Sequence, residues 1–162
     1  MNSQGMAVAS DDTIASALRS GAHVVYSLSG GKDSSAAAFA VEAHLDRIGH
    51  PRDRRHAIHA DLGLIEWPST PGFVETIAAM LGVDLSIVRR KAGGLIQRWE
   101  QRWQSSLRRY ENLETYQLVS PFSSAKLRFC TGEAKVQPIG AELRKRFAGE
   151  TIISIVGIRR EE

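Results

Sequence analysis

Cysteine is almost missing from this chain: of 162 residues, Cys130 alone carries a thiol. One thiol excludes an intrachain disulfide framework, and it cannot supply a four-thiolate iron–sulfur cluster or a cysteine-built structural zinc site. No apolar run approaches the roughly 20 residues that a membrane-spanning helix takes. The opening stretch from Met1 to Ser10 is small and polar and lacks the apolar segment of a secretory leader. These absences make a cytoplasmic protein with no membrane partner the expectation. Charge of one sign is barely in excess, with 21 Lys and Arg against 18 Asp and Glu. A net charge of +3 allows a polyanionic partner without requiring one, because nucleotide pockets are basic too. The 43% hydrophobic content is enough for 162 residues to bury the core of one domain.

What is present in strength is the stretch Ser27-Leu28-Ser29-Gly30-Gly31-Lys32-Asp33-Ser34-Ser35, after the apolar run His23-Val24-Val25-Tyr26 and before an alanine-rich segment. It reads as a buried strand, a tight loop and the first turn of a helix. Adjacent glycines let the backbone approach a ligand closely, and Ser34 or Ser35 can cap the helix, whose free N–H groups face the loop. That combination cradles an anion. It is not the Walker loop, because Tyr26 stands where the first glycine belongs and Asp33 follows Lys32. It is not the dinucleotide fingerprint either, since no Gly-x-Gly-x-x-Gly follows the strand.

Around this stretch, periodicity predicts a regular alternation. A short helix over Thr13 to Ser20, capped by Asp11 or Asp12 and stopped by Gly21, precedes a strand over His23 to Leu28. A helix over Ser34 to Ile48 buries an alanine-rich face and ends at Gly49. Arg52-Asp53-Arg54-Arg55 reads as a solvated turn. A second strand spans His56 to Asp61, so His56 and His59, which would share a metal on a helix, face opposite ways. Next come a helix from Pro71 or Gly72 to Leu81 with Phe73, Ile77 and Met80 or Leu81 on one face, and a third strand over Asp84 to Val88. Strands separated by helices are the sequence form of a parallel sheet. Gly94 to about Tyr110 predicts an amphipathic helix with Ile96, Trp99, Trp103 and Leu107 or Tyr110 as its apolar stripe. Arg98, Arg102 and Arg109 lie on another face, either simply wet or a contact for nucleic acid. A helix over Pro138 to Phe147 and a fourth strand over Thr151 to Val156 complete the chain.

Four motifs in order resemble one family. Ser29-Gly30-Gly31-Lys32-Asp33-Ser34 is similar to the Ser-Gly-Gly-x-Asp-Ser signature of the PP-loop (N-type) ATP pyrophosphatases, also called adenine nucleotide alpha hydrolases. With Lys at the variable position it resembles the phosphoadenosine phosphosulfate (PAPS) reductase-like branch. Asp61-Leu62-Gly63 with Glu66-Trp67-Pro68-Ser69-Thr70 is similar to a stretch of the phage and prophage relatives, with Leu62 where other members have Thr. Arg128-Phe129-Cys130-Thr131, followed by Lys135 and Pro138-Ile139, resembles a third motif. Gly157-Ile158-Arg159 resembles the start of a fourth, and the chain stops one residue before that motif's Ser.

The resemblance implies one domain over residues 1–162, expected to be truncated at its C-terminus. The fold implied is α/β: a Rossmann-like three-layer sandwich with a mainly parallel sheet flanked by helices. The substrate implied is ATP or PAPS, acted on at its phosphates by alpha-beta cleavage with adenylyl transfer, or by sulfonucleotide chemistry. Carried over position by position, the nucleotide-binding residues are Ser27, Ser29, Gly30, Gly31, Lys32, Asp33, Ser34, Asp61, Gly63 and Gly157. The catalytic set is Lys32, Asp33, Arg128, Lys135 and Arg159, cations that counter the charge growing in the transition state. Asp33 or Asp61 would hold Mg²⁺. No iron–sulfur cluster is expected. Cys130 is either a reactive thiol beside cations or a small buried apolar residue. Besides this enzyme reading stand a non-catalytic nucleotide-binding module and a component that incorporates sulfur into nucleic acid. This reading leaves room for an acceptor substrate or nucleic acid and for a homodimer.

Overall fold

How deeply each strand is buried follows from its place in the sheet. The computed structural model describes residues 8, 10–124 and 128–158. Its four strands are β1 (His23–Ser27), β2 (Arg55–Asp61), β3 (Asp84–Arg89) and β4 (Ile152–Val156), in the order β3-β2-β1-β4 and all parallel. β1 lies centrally, with Val24 opposite Arg55 on one side and Ile153 on the other. A central strand of a parallel sheet has both faces covered, and Val24, Val25 and Tyr26 are each at most 1% exposed. The edge strands β3 and β4 alternate between half-buried and exposed residues. The helices among the described residues are α1 (Asp12–Arg19), α2 (Lys32–Arg47), α3 (Thr70–Leu81), α4 (Leu95–Glu111), α5 (Phe129–Thr131) and α6 (Gln137–Arg146), of which α1, α2 and α3 pack on the core of this sheet. This is the expected Rossmann-like α/β arrangement. Among the described residues no helix is long and apolar enough to cross a membrane.

By packing, the chain divides into two compact units. The first comprises Met1–His59, Ser69–Ile87 and Leu143–Glu162, and the second Ala60–Pro68 and Val88–Glu142.

In the first unit Val24, Tyr26 and Leu28 meet Ala38 and Leu45 of α2 and Val74, Ile77, Ala78 and Leu81 of α3. Asp11 caps α1, its carboxylate accepting the Ile14 N–H at 2.8 Å. Leu18 of that helix packs against the core. Three expectations need correction here. α2 starts at Lys32 with Gly31 as its cap residue, so neither Ser34 nor Ser35 is the cap. Its buried stripe is Ser34, Ala38, Glu42 and Leu45, not an alanine face. On α3 the buried residues are Val74, Ile77, Ala78 and Leu81, which follow one another at spacings of three, one and three on the face that meets the core, while Phe73 and Met80 lie off that face and are exposed.

The presence of Glu42 in that stripe also corrects the reading of Arg55 as part of a wet turn: Arg52 and Asp53 are exposed in a turn as expected, but Arg55 begins β2 and is buried. The Arg55 side chain is only 1% exposed; it donates to Glu42 and Asp46, both at 2.6 Å, and to the His50 carbonyl. Tyr26 donates its phenol to the other Glu42 oxygen. Burial and that carboxylate push the Tyr26 phenol far above its ordinary range. A buried guanidinium held by two carboxylates and a carbonyl fastens α2 to β1 and β2.

The second unit is built around α4. Its buried positions are Leu95 and Ser106, with Arg98, Trp99, Arg102 and Leu107 half-buried. Ile96, Trp99 and Leu107 of the expected apolar stripe are thus half-buried as read, and the covered face also includes two arginines. They find partners on the helical run 129–146: Arg98 forms a fork with Glu133 at 2.6 and 3.0 Å, and Arg98 and Arg102 lie over the Phe129 ring at 5.4 and 5.0 Å. Trp103 and Tyr110 stay exposed. Within the 129–146 run, Gly132–Val136 winds as a π-turn just before Pro138. Proline has no N–H to return to the carbonyl four residues back, and the wider turn accommodates that loss.

Candidate functional site

In this sheet the chain runs from β1 outward through β2 to β3, then returns to place β4 on the opposite side of β1. The order reverses between β1 and β4. In open parallel sheets, ligands collect beyond the carboxyl ends of the strands at such a reversal. The Ser27–Ser34 loop leaves β1 at that point.

Its shape is fixed from inside. Leu28 donates its N–H to the Ile58 carbonyl at 2.9 Å, and its own carbonyl takes His59 Nδ1 at 2.8 Å. Ser34, 5% exposed, donates its hydroxyl to the Gly31 carbonyl at 2.9 Å. The same oxygen accepts the Ser29 N–H at 3.2 Å and lies 3.0 Å from the Ser29 hydroxyl. Gly30 has φ +74°, the left-handed region, and a Cβ there would come within 2.7 Å of the Thr70 methyl at the start of α3. Gly157, just past β4, allows no side chain at all, since a Cβ would meet the Ser34 backbone N at 2.5 Å. Thus the ends of β1 and β4 and the starts of α2 and α3 converge on one loop. Gly31 and Lys32 are exposed, the Lys32 side chain 89% so, with Nζ 3.6 Å from Asp33 Oδ1. The amides of the first turn of α2 lack an acceptor one turn back and carry the positive end of the helix dipole.

Ser27, Ser29, Gly30, Gly31, Lys32, Asp33, Ser34 and Gly157 all belong to the first unit, and the loop brings them together. Asp61 and Gly63 belong to the second. There Asp61 accepts the Gly63 N–H at 2.6 Å through one oxygen and Arg89 through the other. Gly63 adopts φ +72° in the resulting turn. Arg128, Cys130 and Lys135 also lie in the second unit. Arg128 is exposed and precedes α5, with its carbonyl taken by Thr131 and Gly132; Lys135 is exposed on the π-turn; Cys130 is half-buried. Arg159 lies outside the described residues. No family model and no curated protein matches this chain.

Asp33 and Asp61 differ as candidates for Mg²⁺. Asp61 accepts the Gly63 N–H of its own turn through one oxygen and Arg89 of β3 through the other, and Asp33 stands half-buried beside the loop with Lys32 Nζ 3.6 Å from one oxygen. Among the described residues no three His, Cys, Asp or Glu side chains gather as a metal centre, but a nucleotide-borne Mg²⁺ needs only one or two carboxylates. His56 and His59 face opposite ways, as strand geometry requires. His56 Nε2 lies 3.1 Å from His23 Nδ1, both rings stacking on Phe147, while His59 holds the loop. Two loop-setting residues were not singled out from the sequence: Thr70, which lay within a quoted motif, and His59, weighed only as a metal ligand. A buried histidine in a strand that feeds a loop was the available signal.

Proposed function

We propose that this chain is a PP-loop protein of the PAPS reductase-like kind, binding an adenine nucleotide, ATP or PAPS, at the 27–34 loop and acting at its phosphates. Gly31 carries the argument. Its φ of −96° and ψ of 157° suit any residue, and a Cβ there would meet only the Ser29 hydroxyl, at 3.4 Å. Nothing in the described chain requires glycine at this exposed position. Bare backbone at the start of a helix, at the reversal point of the sheet, suits a ligand that approaches from outside.

In this reading the Gly30 and Gly31 amides, the Ser29 hydroxyl and the first-turn amides of α2 hold the pyrophosphate, while Ser34 shapes the loop from within. Lys32 reaches the phosphates from its exposed position. By motif, Arg128, Lys135 and Arg159 counter the charge that develops as the bond breaks, so that positioning and electrostatics supply the rate. Asp33 would hold Mg²⁺, which when bound neutralises phosphate charge. Pyrophosphate release from ATP, with the Asp33→Ala variant alongside, tests the catalytic part. The expected result is release by the parent chain and its loss in the variant. Equal release by both, or tight ATP binding with none, overturns the catalytic assignment.

A further inference from the structure

We propose that the second unit carries an anion pocket on α4 that takes a tetrahedral oxyanion group, phosphate or sulfate, of a small molecule. The cavity measures about 260 Å³. Its donors Arg98, Arg102, Ser105 and Arg109 recur at spacings of three and four along one helix, which places them on one face. The opposite wall contains Thr115 and Val119 and is fastened to the helix at two points: the Val119 N–H donates to Ser106 Oγ at 2.7 Å, and Arg102 Nε donates to the Ser120 carbonyl at 3.1 Å. Among the described residues no carboxylate lines the cavity.

The charges are unequally compensated. Arg98 is held by Glu133, whose carboxyl that guanidinium keeps below its usual range. Arg109 and Glu114 approach to 3.5 Å, but both are exposed, and such pairs are weak. Arg102 rests on the Phe129 ring, and among the described residues no carboxylate pairs with it. It therefore brings a cation whose terminal N–H groups suit an oxyanion. Ser106 accepts from Val119 and still has its own proton to donate.

Size narrows the ligand. Sites that enclose a whole small molecule run to roughly 300–1,000 Å³, so this cavity suits a head group with the remainder outside. A terminal phosphate or sulfate offers three free oxygens to Arg102, Arg109 and the hydroxyls, whereas a phosphodiester within a strand offers two. The pocket stands whether or not the 27–34 loop binds nucleotide.

An NMR titration of the full chain with inorganic phosphate and, separately, sulfate tests it. The expected result is a saturable shift at the Arg102 Nε–H and the Ser105, Ser106 and Val119 amides, the stronger of the two responses naming the ester. Arg102→Met, which keeps an apolar stem over Phe129, weakens that binding about tenfold or more. Ser105→Asp, at an exposed position, does the same by placing a carboxylate in the cavity, and Gly31→Ala leaves the binding unchanged. No saturable shift, binding indifferent to both α4 variants, or binding lost only in Gly31→Ala overturns the proposal. Equal competition by an oligonucleotide without a terminal phosphate also overturns it and points to strand backbone instead.

Discussion

Replacing Gly30 with alanine separates two costs that the loop imposes on one residue. At φ +74° an L-residue is in the left-handed region, which costs roughly 1–2 kcal/mol. The new Cβ also meets the Thr70 methyl at 2.7 Å, and overpacking of that kind costs about 1–3 kcal/mol. Alanine recovers about 0.4–1 kcal/mol by restricting the unfolded chain. The expected loss for Gly30→Ala is therefore about 1–5 kcal/mol. Thr70→Ser removes the methyl that clashes and leaves Thr70 Cβ's position at an ordinary 3.7 Å. Alone it costs at most about 1 kcal/mol, the value of a fully buried methyl, because Thr70 is half-buried. In the double variant the steric part vanishes and the backbone part remains. Urea denaturation of all four proteins should give a coupling of about 1–3 kcal/mol, with the double variant more stable than the sum of the single losses predicts. Strictly additive losses would refute the argument that Gly30 is packed against α3.

Other consequences can be checked in the same way. Arg55→Met takes the buried cation from Glu42 and leaves it only the more exposed Arg52 at 3.3 Å, which should cost up to about 3–5 kcal/mol in denaturant, while adding Glu42→Met recovers part of that loss; a variant as stable as the parent contradicts the buried ion network. Burial holds both His23 and His56 below their ordinary 6.5, so the unfolded chain binds more protons than the folded one as pH falls through that value. The stability they contribute is present above about 6.5 and lost below it, and a denaturation midpoint that rises on acidification from about pH 7 to about pH 5 sinks this account. Leu113 follows α4 at φ 60° with 91% of its surface exposed, so Leu113→Gly should raise stability by about 0.5–1 kcal/mol, and a lower melting temperature would count against it.

The succession of strands and helices along the chain was legible because it rests on local signals, whereas the order of the strands within the sheet was not read from the sequence. Val24 to Tyr26 are apolar without interruption, as a strand covered on both faces must be, and Gly21, Gly49 and Gly82 end their helices with positive φ. Helix faces were less legible where a buried residue is charged. Periodicity counts apolar side chains, so it passed over Glu42 on α2 and left Arg98 and Arg102 on α4 as either wet or a contact for nucleic acid, although each is turned toward a partner distant in sequence: Arg55, Glu133 and Phe129. The start of α2 was misplaced because serine is a common helix cap, while the tertiary context uses Ser34 to hold the Ser29 end of the loop. Gly30 and Gly31 were picked as an adjacent pair that bares the backbone, and Gly63 and Gly157 from the resemblance alone. Why Gly30 and Gly157 must be glycine depends on Thr70 and on the Ser34 backbone, contacts between segments that no local pattern encodes.

The most direct measurement is a calorimetric titration of ATP and of PAPS into the parent chain and into Gly31→Ala, with the melting temperature of each recorded. The account predicts saturable binding of one nucleotide to the parent, an unchanged melting temperature for the variant, and affinity lowered by about tenfold or more, because a methyl group then stands where the phosphates approach. Nucleotide binding that is absent from the parent, or equally tight in a variant that folds as well, would contradict it.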